Sequence, residues 1–227
     1  MYHGAVLDRV NTLRTWGLIL LDDLEEGAPE LKTNYQDVGG MDGMLNLSYA
    51  VTGRPVYGTR QVSFTLCRPW AFAAQFASPP PPMATVWADL MGRYHGREVQ
   101  LTLPTDPYHH YTGVVEIGPV SGQARDRIPV AMTADPWRER NEPTRIMASL
   151  ARAAQTIYLP NETRYITPTI TVDAVTRLQL GGKDYQLDPG TRRVLDMELA
   201  PGENILQASL VFADAGHITV EYTEAVL

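Results

Sequence analysis

Across 227 residues the sequence holds one cysteine, Cys67. A lone thiol excludes an intrachain disulfide and a cysteine-based zinc site, and its place in an alternating apolar stretch reads as a small buried hydrophobe. Lysine is nearly absent, with only Lys32 and Lys183 among 19 basic residues; that skew speaks of a GC-rich genome rather than of chemistry. Positive charge is also scarce in clusters. No basic run exceeds Arg192-Arg193, and 26 acidic residues give a net charge of −7, so sequence-independent binding to a phosphate backbone is not expected. Long hydrophobic runs are missing too. The best, Trp16 to Leu21, stops at Asp22-Asp23, short of the ~18 residues a membrane helix needs. The first ten residues lack the basic-then-apolar pattern of a secretory signal. The expectation is a soluble chain without membrane insertion.

What is present is ordinary globular composition, 44% hydrophobic and 20% charged, which excludes collagen-like, low-complexity and wholly disordered classes. One compact body of this mass would expose ~10,300 Å², and two equal halves ~12,400 Å². A split therefore leaves ~2,000 Å² uncovered, about one ordinary protein interface, which suits a chain that assembles with its own copies.

The pattern along the chain predicts a mainly β protein with one clear helix. Trp16 to Leu24 reads as a short apolar strand ending in acidic residues, and Leu31 to Val38 as a second extended segment. Three glycines lie between Gly39 and Gly43, a loop that calls for positive φ angles. Tyr57 to Leu66 alternates, with Val62, Phe64 and Leu66 on one side, as a half-buried strand does. Four prolines, Pro79 to Pro82, break both helix and central strand. After them Met83, Val86, Trp87, Leu90, Met91 and Tyr94 recur at helical spacing, predicting a helix over 83–94 that Gly96 ends and whose apolar stripe is core packing. Strands follow near 98–103, 108–117 and 125–133. The last third reads as strands near 144–150, 154–159, 166–173, 175–180, 183–187, 192–199, 203–212 and 217–223. Gly181-Gly182 is a two-residue hairpin signal, and such spacing indicates a β-sandwich. The expected division is an N-terminal α+β domain over 1–136 and a C-terminal β-sandwich over 137–227.

Candidate chemistry is sparse. Asp22, Asp23, Glu25 and Glu26 cluster without the Asp-x-Asp-x-Asp-Gly order of a calcium loop and read as a solvated strand end. His109 and His110 are adjacent, so on a strand they point to opposite faces and do not share an ion easily. No Gly-x-Ser-x-Gly elbow occurs, and no Gly-Lys-Ser/Thr follows the Gly39 to Gly43 loop. Asn46 and Asn161 begin glycosylation sequons of little weight in a chain without a signal. No catalytic, cofactor or metal-binding residue is assigned; an enzyme is not expected, nor a cofactor. Tyr158, Tyr165 and Tyr185 could stack on sugar.

The order of these pieces resembles the distal tail (Dit) family of long, non-contractile phage tails. The likeness rests on Gly17-Leu-Ile-Leu, Ala28-Pro29-Glu-Leu-Lys32-Thr, and Asp37-Val-Gly-Gly40-Met-Asp42-Gly43-Met-Leu-Asn-Leu. It continues through Tyr57 with Arg60 leading a strand, the helix followed by His95-Gly96-Arg-Glu-Val, Asp106-Pro-Tyr-His-His-Tyr-Thr-Gly113 and Asp135-Pro-Trp. It ends with Pro201-Gly-Glu-Asn204-Ile and Gly216-His-Ile-Thr-Val-Glu-Tyr. The family has Pro-Gly-x-Asp-Gly in the loop where this chain has Gly39 in the proline place. The resemblance implies a structural virion protein: a ring-forming belt domain followed by a galectin-like β-sandwich. It would assemble as a homohexameric ring at the distal tail tip, after synthesis in the host cytoplasm. Implied partners are the tail tube protein, the tail-tip hub or tail-associated protein and a receptor-binding protein, with DNA passing through unbound. The alternative is a carbohydrate-binding module contributing to host-surface attachment.

Overall fold

The computed structural model describes residues 3–69 and 81–227. It is mainly β with one long helix, as the sequence predicts. The chain divides into two compact units, one up to Arg138 and one from Glu139 onward, each with its own hydrophobic core.

The first unit contains, in chain order, β1 (Val6–Leu7), β2 (Val10–Asn11), α1 (Thr12–Trp16), β3 (Ile19–Leu20), β4 (Glu25–Glu26), β5 (Tyr35–Asp37) and β6 (Met44–Asn46). It continues with β7 (Arg60–Cys67), α2 (Met83–Tyr94), β8 (Glu98–Leu103), β9 (Asp106–Ile117) and β10 (Arg127–Ala134). Its main sheet runs β2-β1-β8-β9-β10-β7-β3, with β4 also beside β7. Register puts Met132 opposite Val62, Val130 opposite Phe64 and Ile128 opposite Leu66, so one face of the sheet is a continuous apolar surface. Helix α2 presents Val86, Leu90 and Tyr94 to this core; burying such side chains stabilises by about 1.5–3 kcal/mol each. Its stripe is core packing. Trp87 keeps its indole N–H satisfied by the Gly118 carbonyl at 2.9 Å. Gly96, at φ 70°, takes the left-handed turn that ends the helix. Pro79 and Pro80 of the proline run lie outside the described residues. Cys67 is buried, and burial followed by the nearby Asp126 carboxylate pushes its thiol up.

Two local expectations change. Trp16 belongs not to a strand but to the five-residue helix α1. Asn11 caps it by accepting from the Arg14 N–H at 3.0 Å, and Gly17 ends it at φ 68°. Both caps are visible in the sequence, but they bracket too few residues for a periodic pattern. The strand expected over 192–199 is also shorter, because the Met197 N–H bonds back to the Val194 carbonyl at 3.0 Å and turns the chain.

The second unit begins within the short strand β11 (Arg138–Arg140). It comprises β12 (Thr144–Leu150), β13 (Gln155–Asn161), β14 (Thr169–Val172), β15 (Thr176–Leu180), β16 (Lys183–Leu187), β17 (Gly190–Arg193), β18 (Gly202–Leu210), β19 (Gly216–Tyr222) and β20 (Ala225–Val226). Two four-stranded sheets, β12-β19-β14-β17 and β13-β18-β15-β16, share one core. Ile170, Val172, Ile218 and Val220 come from the first, and Leu159, Leu178, Leu206 and Ala208 from the second. Gly181 and Gly182, at φ 56° and 79°, close the β15–β16 hairpin in the turn that needs two positive φ angles. Asn204 pins the turn before β18. Its Oδ1 accepts from the Ala200 N–H, and its Nδ2 donates to the Ala200 carbonyl, both at 2.8 Å.

Two glycines give opposite expectations. A Cβ on Gly113 would lie 2.3 Å from the Thr133 carbonyl oxygen of the neighbouring strand. Gly113→Ala should therefore lower unfolding stability by about 1–3 kcal/mol. Gly92 has open space around its missing Cβ in the exposed part of α2, so Gly92→Ala should raise stability by about 0.5–1 kcal/mol. Denaturant melts of the two variants check both signs.

Candidate functional site

Between β4 and β7 the chain leaves the core as an arm. At its base the Gly27 N–H donates to the Gln61 carbonyl at 2.8 Å, the Gly58 N–H to the Glu30 carbonyl at 2.6 Å and the Lys32 N–H to the Val56 carbonyl at 2.8 Å. Leu31 and Tyr57 form an antiparallel bridge there, and the Tyr57 ring meets Trp137 edge-on at 5.7 Å. Further out, β5 and β6 pair, among the described residues, only with each other. Gly40 and Gly43, at φ 85° and 81°, close the tip; Gly39 does not adopt positive φ. Every residue from Glu30 to Asn46 is exposed. That includes Leu31, Tyr35, Val38, Met44 and Leu45, and Val51 beyond them is 98% exposed. A two-stranded hairpin is marginal in water by itself, and an apolar surface of this kind marks an interaction site. The arm's charges, Glu30, Lys32, Asp37, Asp42 and Arg54, sum to only −1, so what it presents is chiefly apolar side chains and unshielded strand edges rather than a charged patch.

A polar network holds the base. The Arg60 side chain is buried, 8% exposed. Its Nε donates to the Gly27 carbonyl at 2.9 Å and its Nη1 to the Pro136 carbonyl at 3.3 Å. The guanidinium lies over the Tyr111 ring at 5.2 Å, and Arg138 approaches the same ring at 5.9 Å. The Tyr111 hydroxyl donates to the Glu26 carboxylate. Burial, then that bond, pushes the phenol well above its ordinary range. Arg138 continues to Asp106 at 3.2 Å, and Asp106 also meets His109 at 2.9 Å. Burial alone would raise the Asp106 carboxyl, but the His109 and Arg138 contacts and the Tyr108 N–H bring it below the usual carboxylate range.

The residues singled out in the sequence fall into distinct places. Lys32, Gly40, Asp42 and Gly43 lie on the arm, and Pro29 and Tyr57 at its base. Arg60 and Asp106 belong to the network, Gly17, Gly96 and Gly113 to backbone turns and close approaches, and Asn204 to the second unit. Tyr111 and Arg138 are the network members that sequence reasoning missed, and Glu26 and His109, read there as a solvated strand end and as one of two adjacent histidines, join them. Glu26 and Tyr111 are 85 positions apart, and nothing local marks them as partners. The acidic cluster is not merely solvated: besides Glu26, Asp23 accepts the Thr65 N–H at 3.0 Å. His109 and His110 are packed, one against Asp106 and one buried. Among the described residues no group of three or more His, Cys, Asp or Glu side chains could hold a metal ion. Of the sequon asparagines, Asn161 is buried and donates to three carbonyls. The three tyrosines share no platform. Tyr158 pairs with exposed Ile205 on the outer face of its sheet, whereas Tyr185 pairs with buried Leu178 on the inner face.

Among solved structures, the SPP1 Dit (gp 19.1) protein, described as a paradigm of the hub adsorption apparatus in Gram-positive-infecting phages, is similar in fold. The TM-score is 0.59 at 13% identity, covering 99% of both chains. A de novo designed double-stranded β-helix overlaps 37% of this chain and 100% of its own at 12% identity, with a TM-score of 0.27, too low to bear on the architecture. No protein-family model and no curated protein matches the sequence.

The network sets two expectations. Arg60→Met strands two carbonyls and should cost about 2–4 kcal/mol of unfolding free energy, read from denaturant melts. The depressed Asp106 carboxyl contributes stability that is complete above its unfolded value of about 3.9 and is lost as pH falls through the lower folded value. Asp106→Asn should therefore be less stable than the parent at pH 7, and the gap should close as the pH is taken below that range.

Proposed function

We propose that the chain is a structural virion protein, six copies of which close into a ring at the distal tip of a long, non-contractile phage tail. In this reading the first unit is the ring-forming belt and the second a galectin-like sandwich. The ring joins the tail tube to the tail-tip hub and adhesion apparatus, with a receptor-binding protein as a further partner. The protein is made in the host cytoplasm and carried in the virion.

The observation that carries the reading is the arm. A ring closes through head-to-tail contacts, in which one surface of each copy meets a different surface of the next. An apolar hairpin of low net charge, without a core of its own, supplies one half of such a contact. The fold likeness to the SPP1 Dit protein over the full chain, together with the ordered motifs from Gly17 to Asn204, supports the same assignment. The reading assigns no catalytic role; Asp23, Glu26, Asp106 and His109 are engaged in internal bonds that support the fold. The net charge of −7 suits a channel that DNA passes without being held, because like charges release no counterions.

Light scattering after size exclusion, with electron microscopy of the peak, tests the assignment. The expected result is a six-copy ring with a central hole. Replacing Tyr35, Met44 and Leu45 together by serine should leave the melting curve of the single chain unchanged and shift the population to monomer. A parent protein that stays monomeric at high concentration overturns the ring, and undiminished assembly of the triple variant overturns the role of the arm.

A further inference from the structure

The second unit carries a cleft whose chemistry neither the ring nor the arm uses. On the outer face of the β12-β19-β14-β17 sheet, register aligns Arg145, Glu221, Thr169 and Arg193 in one row across four strands. Of that row Glu221, Thr169 and Arg193 line a cleft of about 330 Å³ together with the segment 164–167 and Glu139, within the size range of small-ligand sites; Arg145 lies beside it.

Its lining alternates in sign. Arg164 pairs with Glu139 at 2.8 Å, and Glu221 faces Arg145 at 3.9 Å. Arg193, also in the lining, makes no ion pair or side-chain hydrogen bond among the described residues. Thr167 and Thr169 add hydroxyls, and the Tyr165 ring stands 42% exposed at the cleft.

From this set we infer that the cleft binds a short, uncharged oligosaccharide. Carboxylates accept from paired sugar hydroxyls, and a guanidinium donates in a fixed fork to their oxygens. An exposed aromatic ring covers the apolar C–H face of a pyranose. Two carboxylates in the lining offset the arginines, so a phosphate or other polyanion meets repulsion from Glu139 and Glu221 that a neutral sugar does not. The whole lining belongs to the second unit of one chain, so the site does not depend on ring closure. It adds surface attachment to the structural role.

The test is a glycan array probed with the fluorescently labelled full chain, followed by calorimetric titration of the strongest neutral glycan and, separately, of inorganic phosphate. At least one neutral oligosaccharide should bind saturably. Tyr165→Ala and Arg193→Gln should each weaken it about tenfold, Tyr165→Phe should retain it, and Tyr158→Ala, on the other sheet, should leave it unchanged. Arg193 is exposed, so its variant tests the site even if Tyr165→Ala melts early. No neutral glycan above background overturns the inference. So does binding indifferent to both Arg193→Gln and Tyr165→Ala, or a preference for phosphate over every neutral sugar.

Discussion

The first unit depends on one buried cation. Arg60 gives its guanidinium to two backbone carbonyls, Gly27 and Pro136, and lays its face on Tyr111. A charge out of water is tolerated only when its donors are filled and a compensating charge or π-face lies close. Here Glu26 and Asp106 provide the negative charge around the same ring system. Because Gly27 is the last residue before the arm departs and Arg60 the first of the returning strand, this clamp sets where the arm leaves the sheet. A guanidinium suits the place better than an ammonium would, since its planar fork serves two carbonyls and one aromatic face at once.

The arm itself obeys a different logic. Its glycines permit the tip, and its backbone bonds join its two strands, yet its apolar side chains from Leu31 to Val51 gain nothing from the core of their own chain. In a monomer such a segment is a liability, an exposed strand pair with unshielded edges. It becomes an asset only when another surface covers it, which is why the proposed function turns on assembly rather than on any cluster of reactive groups.

Much of this was legible in the chain. Alternation at Val62, Phe64 and Leu66, the 3.6-residue recurrence from Met83 to Tyr94, and Gly181-Gly182 each carry their structural meaning within a few residues, and each appears where it was read. Helix α1 escaped because five residues cannot display a period, although its two caps, Asn11 and Gly17, are ordinary signals. Arg60 and Asp106 were marked by family-like pattern, but their partners were not. Tyr111 sits among residues of similar type in an alternating strand, and only the pairing of β9 with its neighbours brings it beneath Arg60.

By itself, then, the sequence determined the class of the protein: mainly β, with one long helix. Those properties follow from local periodicity and turn chemistry, which act over a few residues. The tertiary structure alone decided which polar groups meet around Tyr111, that the segment from Leu31 to Val51 is left outside the core, and that Tyr158 and Tyr185 face opposite sides of one sheet while Tyr165 borders a cleft elsewhere. Long-range strand register sets those outcomes, and a one-residue change in register sends every side chain of a strand to the other face.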